Sequence, residues 1–446
     1  MSALARYFAA KGYRVLGYDR TSSALTQELQ NEGVTIEYGD DCSLVESLVQ
    51  GETLVVRTPA VPADQPQFVW LSTHEFPIMK RAAVLGWLTR MSKSLCVAGT
   101  HGKTTTSALL AHIVHNSSVG CSAFLGGISN NYNTNLLIDT QSEYVVAEAD
   151  EYDRSFHQLS PYISVITSMD PDHLDIYGTE ESYNASFMHY ASLVSNSMVV
   201  KYGLDFSNSD LKAKLFTYDV ENREADFYAC NIRFESGVIV FDFITPTGVM
   251  ADMYLHVPAW VNIENSVAAL SVAYLLGLTE HELRDGLSSF SGVYRRFNVH
   301  VNNDKVCYID DYAHHPEELK ASIRSVKMLY PDRKVIVAFQ PHLYSRTHDF
   351  ADGFAQSLSL ADTLLLLPIY PARELPMPGV TSEWLLSMMP SVMDAMIVQK
   401  PDLVEQILAS VNRWLSDNKS VVVMTLGAGD IDRLVNDIKQ NLNMYE

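Results

Sequence analysis

The stretch Ser94-Leu-Cys-Val-Ala-Gly-Thr-His-Gly-Lys-Thr-Thr-Thr-Ser107 restricts what this chain can become more than any other. A short apolar run stops at two glycines, a lysine and three threonines, and an apolar pattern with helical spacing then resumes, which predicts strand, loop and helix. A phosphate cradle needs that order. Glycines let backbone N–H groups close on an anion, and a helix N-terminus adds partial positive charge. Lys103 supplies a point charge and Thr104 a hydroxyl suited to Mg²⁺, so Gly99, Thr100, His101, Gly102, Lys103, Thr104 and Thr105 are the expected nucleotide contacts. The general pattern has about four residues between its glycines. Here there are two, so the reading rests on Gly-Lys-Thr and its flanking elements; the plain alternative is a glycine turn before a helix.

With 446 residues the chain exceeds one core and predicts two to four domains. A composition of 47% apolar and 19% charged residues is that of a globular protein. The net charge of −21 argues against a nucleic-acid surface, which needs a concentrated basic face. Cys42, Cys96, Cys121, Cys230 and Cys307 lack paired spacing, which fits a reducing cytoplasm and neither a disulfide framework nor a zinc site. No apolar stretch nears the roughly 20 residues of a membrane span, and no signal peptide is expected.

Residues 1–11 have helical apolar spacing, and residues 12–19 read as a strand ending in Asp19. In a nucleotide-binding βαβ unit a strand and a Gly-x-Gly-x-x-Gly turn precede such a helix. They are absent here, so the chain is expected to begin late within its first domain, without those diphosphate-binding amides. Residues 53–57 suggest a buried strand and residues 78–91 a helix, with a domain boundary near residues 92–94. Two later apolar strands each end in carboxylates: Glu-Ala-Asp-Glu at 148–151 and Asp-Pro-Asp-His-Leu-Asp at 170–175. Beside a phosphate loop, two such ends offer hard oxygen ligands and an imidazole to magnesium. Residues 201–258 read as a β-rich insertion with a hairpin turning at Glu-Ser-Gly. Asn262 and Asn265 share one face of a following helix, as caps or packing groups on residue pattern alone. Residues 306–316 form a strand ending in Asp311, Tyr312, His314 and His315, then a helix opened by Pro316. Adjacent histidines invite a zinc reading, but no third ligand has suitable spacing. Strands at 334–342, 363–367 and 421–425 complete a Rossmann-like sheet, and Gly427-Ala-Gly-Asp430 is expected to be a tight turn because it lacks a lysine.

Gly-Thr-His-Gly-Lys-Thr-Thr, the two acidic motifs, Asn262-x-x-Asn265, Arg295-Arg-Phe, Asp311-Tyr-x-His314-x-Pro and Phe339-Gln-Pro-His342-x-x-x-Arg346-Thr together resemble the Mur ligases, in family order. The resemblance implies an α/β protein of three domains: an incomplete Rossmann-like UDP-sugar domain (1–92), a central P-loop ATPase-like domain with a β-rich insertion (93–293) and a C-terminal Rossmann-like amino-acid domain (294–446). It implies an ATP-dependent ligase that adds an amino acid to a peptidoglycan precursor. The acidic motifs look most like those of the alanine-adding branch, so ATP, UDP-N-acetylmuramate and L-alanine are the expected substrates and Mg²⁺ the cofactor.

By the same resemblance Thr104, Glu148 and His173 take the magnesium, with Glu151, Asp170 and Asp172 as second choices. Asn262 and Asn265 belong to the adenine pocket, although Val261 stands where a histidine is usual. Arg296, or else Arg295, turns toward ATP, and Asp311 and Tyr312 face the nucleotide. His314 lies near the incoming amino acid, with His314 or His315 as its base, while His342 and Arg346 capture its carboxylate. Leu343 replaces an arginine common in relatives. Lys103, His173, Arg296, His314 and His315 are thus the expected catalytic groups. Residues 171–200 contain no lysine, which rules out there the carbamylated lysine of several sister ligases. The alternatives are a murein tripeptide ligase of cell-wall recycling and a nucleotide-binding protein without catalysis.

Overall fold

The computed structural model describes residues 1–58, 61–171, 174–207, 209–235, 237–372, 374–390 and 394–445. The chain divides into two compact units, the first Met1–Cys230, Phe243–Ala251 and Asn265–Ser289, the second Asn231–Asp242, Asp252–Glu264 and Phe290–Glu446.

The first unit opens with the helix Ser2–Ala10. Two small parallel pairs follow, Leu16–Tyr18 with Thr35–Glu37 and Val55–Arg57 with Ile78–Lys80. The second pair changes one expectation. Residues 78–80 are a strand and the helix is Arg81–Arg90, because Ile78 and Met79 pair with Val55 and Val56, a long-range partner invisible to local spacing. The strand Val55–Arg57 is half-buried rather than buried.

The main sheet of this unit places strands side by side in the order Thr134–Leu137, Ser122–Ser129, Tyr144–Glu148, Lys93–Ala98, Pro161–Ile166, Ser197–Lys201 and Lys214–Asp219. All pair in parallel except the first two, which are antiparallel. Lys93–Ala98 sits mid-sheet with Leu95, Val97 and Ala98 fully buried, as expected of a parallel strand covered on both faces. Leu4, Val84, Leu85 and Leu88 share one core with Cys96, Phe124, Phe156, Tyr183 and Phe187, so the N-terminal helices are part of that core. The β-rich segment holds strands Phe227–Glu235, Val238–Thr245 and Gly248–Leu255, while Ser236 of the expected Glu-Ser-Gly turn lies outside the described residues.

The second unit holds a six-stranded sheet in the order Asn298–Asn302, Val306–Asp311, Val421–Leu426, Lys334–Phe339, Thr363–Leu366 and Asp394–Ile397, parallel apart from its first strand. Apolar clusters line both faces, one against the helix Pro316–Leu329 and one against Leu403–Ser416. In both units the carboxyl ends of adjacent parallel strands meet at one edge: Ala98 beside Ile166 and Val97 beside Glu148 in the first, Leu426 between Asp311 and Phe339 in the second. Ligands of open α/β sheets bind at such edges. Among the described residues no helix is long and apolar enough to cross a membrane.

Candidate active site

The phosphate loop leaves the strand Lys93–Ala98 with Gly99 at φ +131° and Gly102 at φ +79°, both in the region open to glycine, and Gly102 caps the helix Lys103–His115. Crowding also demands glycine here. A Cβ on Gly99 would collide with Thr167 Oγ1, and one on Gly102 would lie 2.6 Å from Asn265 Oδ1. The loop is tied to the end of the neighbouring strand: Thr100 N donates to Ser168 O (3.2 Å), His101 N to Ser168 Oγ (2.9 Å) and Thr100 Oγ1 to Asp170 O (2.7 Å). Thr167 Oγ1 in turn donates to His101 O. Thr105 is buried, and Thr104 is half-buried in the first helical turn.

Lys103 folds back on its own loop. Its Nζ donates to Gly99 O (2.5 Å), Thr100 O (3.1 Å) and Glu151 Oε1 (2.9 Å), with Glu151 Oε2 at 2.8 Å. Burial works against the ammonium, but Glu151, Glu148 and Asp150 outweigh it and hold its pKa above the ordinary value. Burial pushes Glu151 up to about 7 against the pull of Lys103. Glu151, a second-choice metal ligand on sequence grounds, is thus engaged by Lys103. Asp170 lies 3.8 Å from His101 Nε2 through its carboxylate.

Glu148 ends its strand opposite Val97 and covers Gly126, where any Cβ would strike its carboxylate. Its Oε2 is buried without a hydrogen-bond partner. A buried carboxylate oxygen left unpaired beside a phosphate loop fits a divalent-cation ligand. Among the described residues no three His, Cys, Asp or Glu side chains cluster as a metal site. His173 and Asp172 lie outside the described residues.

Gly126 also lines a cavity of about 240 Å³ walled by Met1, Ser2, Arg81, Gly127 and Asn135 among others. Sequence reading missed this cavity. Its available signal was the glycine pair inside the strand Ser122–Ser129, which marks close approach to a backbone. Asn265 packs on the loop, its Oδ1 accepting from Thr106 Oγ1 at 3.1 Å. Asn262 Nδ2 donates to Val257 O at 3.2 Å.

The second unit gathers its own candidates. Arg295, at φ +60° and 8% exposed, donates from Nε to Asp310 Oδ2 (3.2 Å) and from Nη2 to Gly427 O (2.7 Å). Those bonds make Arg295 a structural residue, whereas the Arg296 guanidinium lies 4.9 Å over the Tyr312 ring. Burial pushes Asp311 up to about 6. His314 Nδ1 is 3.0 Å from Tyr312 O, which can only accept, so Nδ1 carries the hydrogen and Nε2 keeps its lone pair. Burial lowers the His314 pKa, and nearby Arg346 lowers it further. His342 packs edge-on to His314 (6.3 Å) and stacks on Tyr370 (5.9 Å), and burial with His314 and Arg346 takes it to about 4. His315 instead caps the helix Pro316–Leu329 and packs edge-on against Phe350.

Arg346 is carried on the short helix Tyr344–Asp349, entered through Leu343 at φ +69°. Glu374 anchors the start of that helix by accepting from Ser345 N (3.0 Å) and Ser345 Oγ. Nothing in the local sequence pointed to Glu374.

Residues 1–93 match the Mur ligase family catalytic domain, 97–273 the Mur ligase middle domain and 295–429 the Mur ligase glutamate ligase domain. The UDP-N-acetylmuramate–L-alanine ligase of Phocaeicola vulgatus is 50% identical over 448 residues, covering 99% of this chain and 96% of that protein. The chain belongs to the Mur ligase family. The ligase of the same name from Parabacteroides distasonis is also 50% identical, over 99% of this chain and 95% of that one. Among solved structures, the UDP-N-acetylmuramate-alanine ligase of Thermotoga maritima superposes with TM-score 0.83 at 25% identity, covering 100% and 97% of the two chains. A murein peptide ligase from Psychrobacter arcticus shares the fold, with TM-score 0.68 at 20% identity, covering 99% and 96%. The fold is therefore the three-domain α/β fold of Mur ligases.

Proposed function

We propose that this Mur ligase uses ATP to join L-alanine to the lactyl carboxylate of UDP-N-acetylmuramate, with Mg²⁺ as cofactor and in the cytoplasm. The observation that carries the reading is Lys103 at a helix N-terminus beside the unpaired Glu148 oxygen, in a chain 50% identical to alanine-adding ligases. We read its domains as 1–92 for the UDP-sugar, 93–293 for ATP and 294–446 for the amino acid.

A carboxylate resists an amine at neutral pH because its carbon is a poor electrophile and its charge repels electrons. Phosphoryl transfer from ATP gives an acyl phosphate with a good leaving group, and both reactants are anions, so charge must be neutralised first. Lys103 and the amides around Gly99 and Gly102 serve the transferred phosphate. Thr104, Glu148 and His173 would hold Mg²⁺, which offsets charge on the phosphates when bound. The cavity beside Gly126, with Arg81 on its wall, suits an anionic precursor whose acid must approach Glu148.

The incoming amine must arrive deprotonated. His314, neutral at pH 7 and with its Nε2 lone pair available, can take that proton, while Arg346 and His342 bind the alanine carboxylate. Arg296 and Tyr312 face the nucleotide in this reading.

Phosphate release measured with each substrate omitted in turn tests the assignment. Release that requires ATP, UDP-N-acetylmuramate and L-alanine together is expected. Release supported by murein tripeptide in place of L-alanine would make it a recycling ligase, and ATP binding without any turnover would reject the ligase.

A further inference from the structure

The lysine of a phosphate loop can serve a phosphate only with donors it has to spare, and an ammonium has three. Here all three are committed within the protein: to Gly99 O (2.5 Å), Thr100 O (3.1 Å) and Glu151 Oε1 (2.9 Å). Glu151 is 2% exposed, so it is built into the fold and is no passing surface partner. Its backbone is held too, since Glu151 O accepts from Tyr177 OH (2.5 Å) and from Arg154 N (2.9 Å).

The turn behind it is strained. Asp153 and Arg154 both adopt φ +52°, a conformation that non-glycine residues keep only when their surroundings enforce it. Lys80 Nζ bonds Asp153 Oδ2 at 3.0 Å, and the Arg154 guanidinium lies 4.8 Å over the Tyr177 ring. Both contacts lie on the turn that follows Glu151.

We propose that Glu151 is an internal counter-anion that latches Lys103 in the free enzyme, so that ATP must displace a built-in carboxylate before the lysine can reach its phosphates. Glu151 is thus a positioning residue that sets nucleotide affinity. This rests on the reading that the loop binds ATP. Electrostatics supports the competition. Separating a buried pair strands the carboxylate, and Asp150 adds like charge that raises its pKa further. The latch keeps the lysine charged and aimed while no nucleotide is present, and weakens the first grip on ATP in return.

The test is Glu151→Gln in the full chain, which keeps the shape and the acceptor oxygen and removes the charge. ATP affinity by calorimetry and KM for ATP against kcat in the phosphate-release assay are the readouts. The latch predicts Kd and KM for ATP lower by at least about threefold, with kcat unchanged or reduced. A merely supporting role for Glu151 predicts the opposite, a higher KM and a lower melting temperature. Should Glu151→Gln fail to fold, Tyr177→Phe decides the matter: it releases the Glu151 carbonyl and keeps both charges, and KM must shift down by a smaller factor. An unchanged or raised KM in a folded variant overturns the latch. Failure of the unaltered enzyme to bind ATP overturns instead the nucleotide reading beneath it.

Discussion

Two glycine turns leave the carboxyl ends of two parallel strands with nearly one backbone conformation and opposite uses. Gly99 follows Lys93–Ala98 at φ +131°, and Gly427 follows Val421–Leu426 at φ +133°. Neither has room for a Cβ: at Gly99 it would strike Thr167 Oγ1, and at Gly427 it would lie 2.5 Å from Gln340 O. What comes next differs. Gly102 opens a 13-residue helix with Lys103 in its first turn, while Gly429 presses on the Gln340 side chain and leads into the short 3₁₀ turn Asp430–Leu434. Asp430 is bonded by Lys400 and by Gln340 Nε2, and Gly427 O accepts from Arg295. The first turn ends in a long helix with a cation, Lys103, held by Glu151 at its start. The second carries an anion, Asp430, held by Lys400 and Gln340 with no long helix behind it, so the same backbone device becomes a lock.

The largest effect should come from Lys103→Met. Turnover should fall by a factor on the order of 10² to 10³, and the stranded Glu151 should cost about 3–5 kcal/mol. Steady-state kinetics and denaturant melts read the two losses separately. Arg295→Met strikes the locking turn in the same way, leaving Asp310, which is fully buried, without its cation. A loss of about 3–5 kcal/mol is expected, and a melt unaffected by the change would show that the lock is ornamental.

Gly99→Ala and Gly427→Ala compare the turns directly. Each should cost about 1–3 kcal/mol of stability through its strained φ, but only Gly99→Ala should also weaken ATP binding in calorimetry. Equal effects of both on ATP would mean that the two turns do not differ in use. The smallest effect is a pH slope. His342 has its folded pKa lowered to about 4 from 6.5, so its neutral form stabilises the fold fully above pH 6.5 and that contribution is lost as pH falls toward 4. His342→Gln should therefore flatten the dependence of melting temperature on pH between 6.5 and 4, by a few degrees. Parallel profiles for the two proteins would refute it.

Much of this was legible in the residues. Chemistry carried on short contiguous runs is local: the loop at 99–105, the acidic strand end at 148–151 and the helix opened at Pro316 follow from turn, cap and periodicity rules, and the structure places each where that order implies. The tight turn at Gly427 was also readable, because a phosphate loop without a cation has no use for phosphate. The misplaced start of the helix Arg81–Arg90 shows the limit. Ile78 pairs with Val55, and no window of sequence contains both partners' geometry.

By itself the sequence determined the family, the α/β class and the list of groups able to do chemistry, since those depend on residue type and spacing. Only the tertiary structure decided their partners. It gave Glu151 to Lys103, locked Arg295 on Asp310 while leaving Arg296 on Tyr312, turned Asn265 to the loop, and set Glu374 under the helix of Arg346. The reason is physical. A charged side chain's role depends on which opposite charge or vacant acceptor burial brings within about 3 Å, and residues distant in sequence meet at that range only once the sheets are assembled.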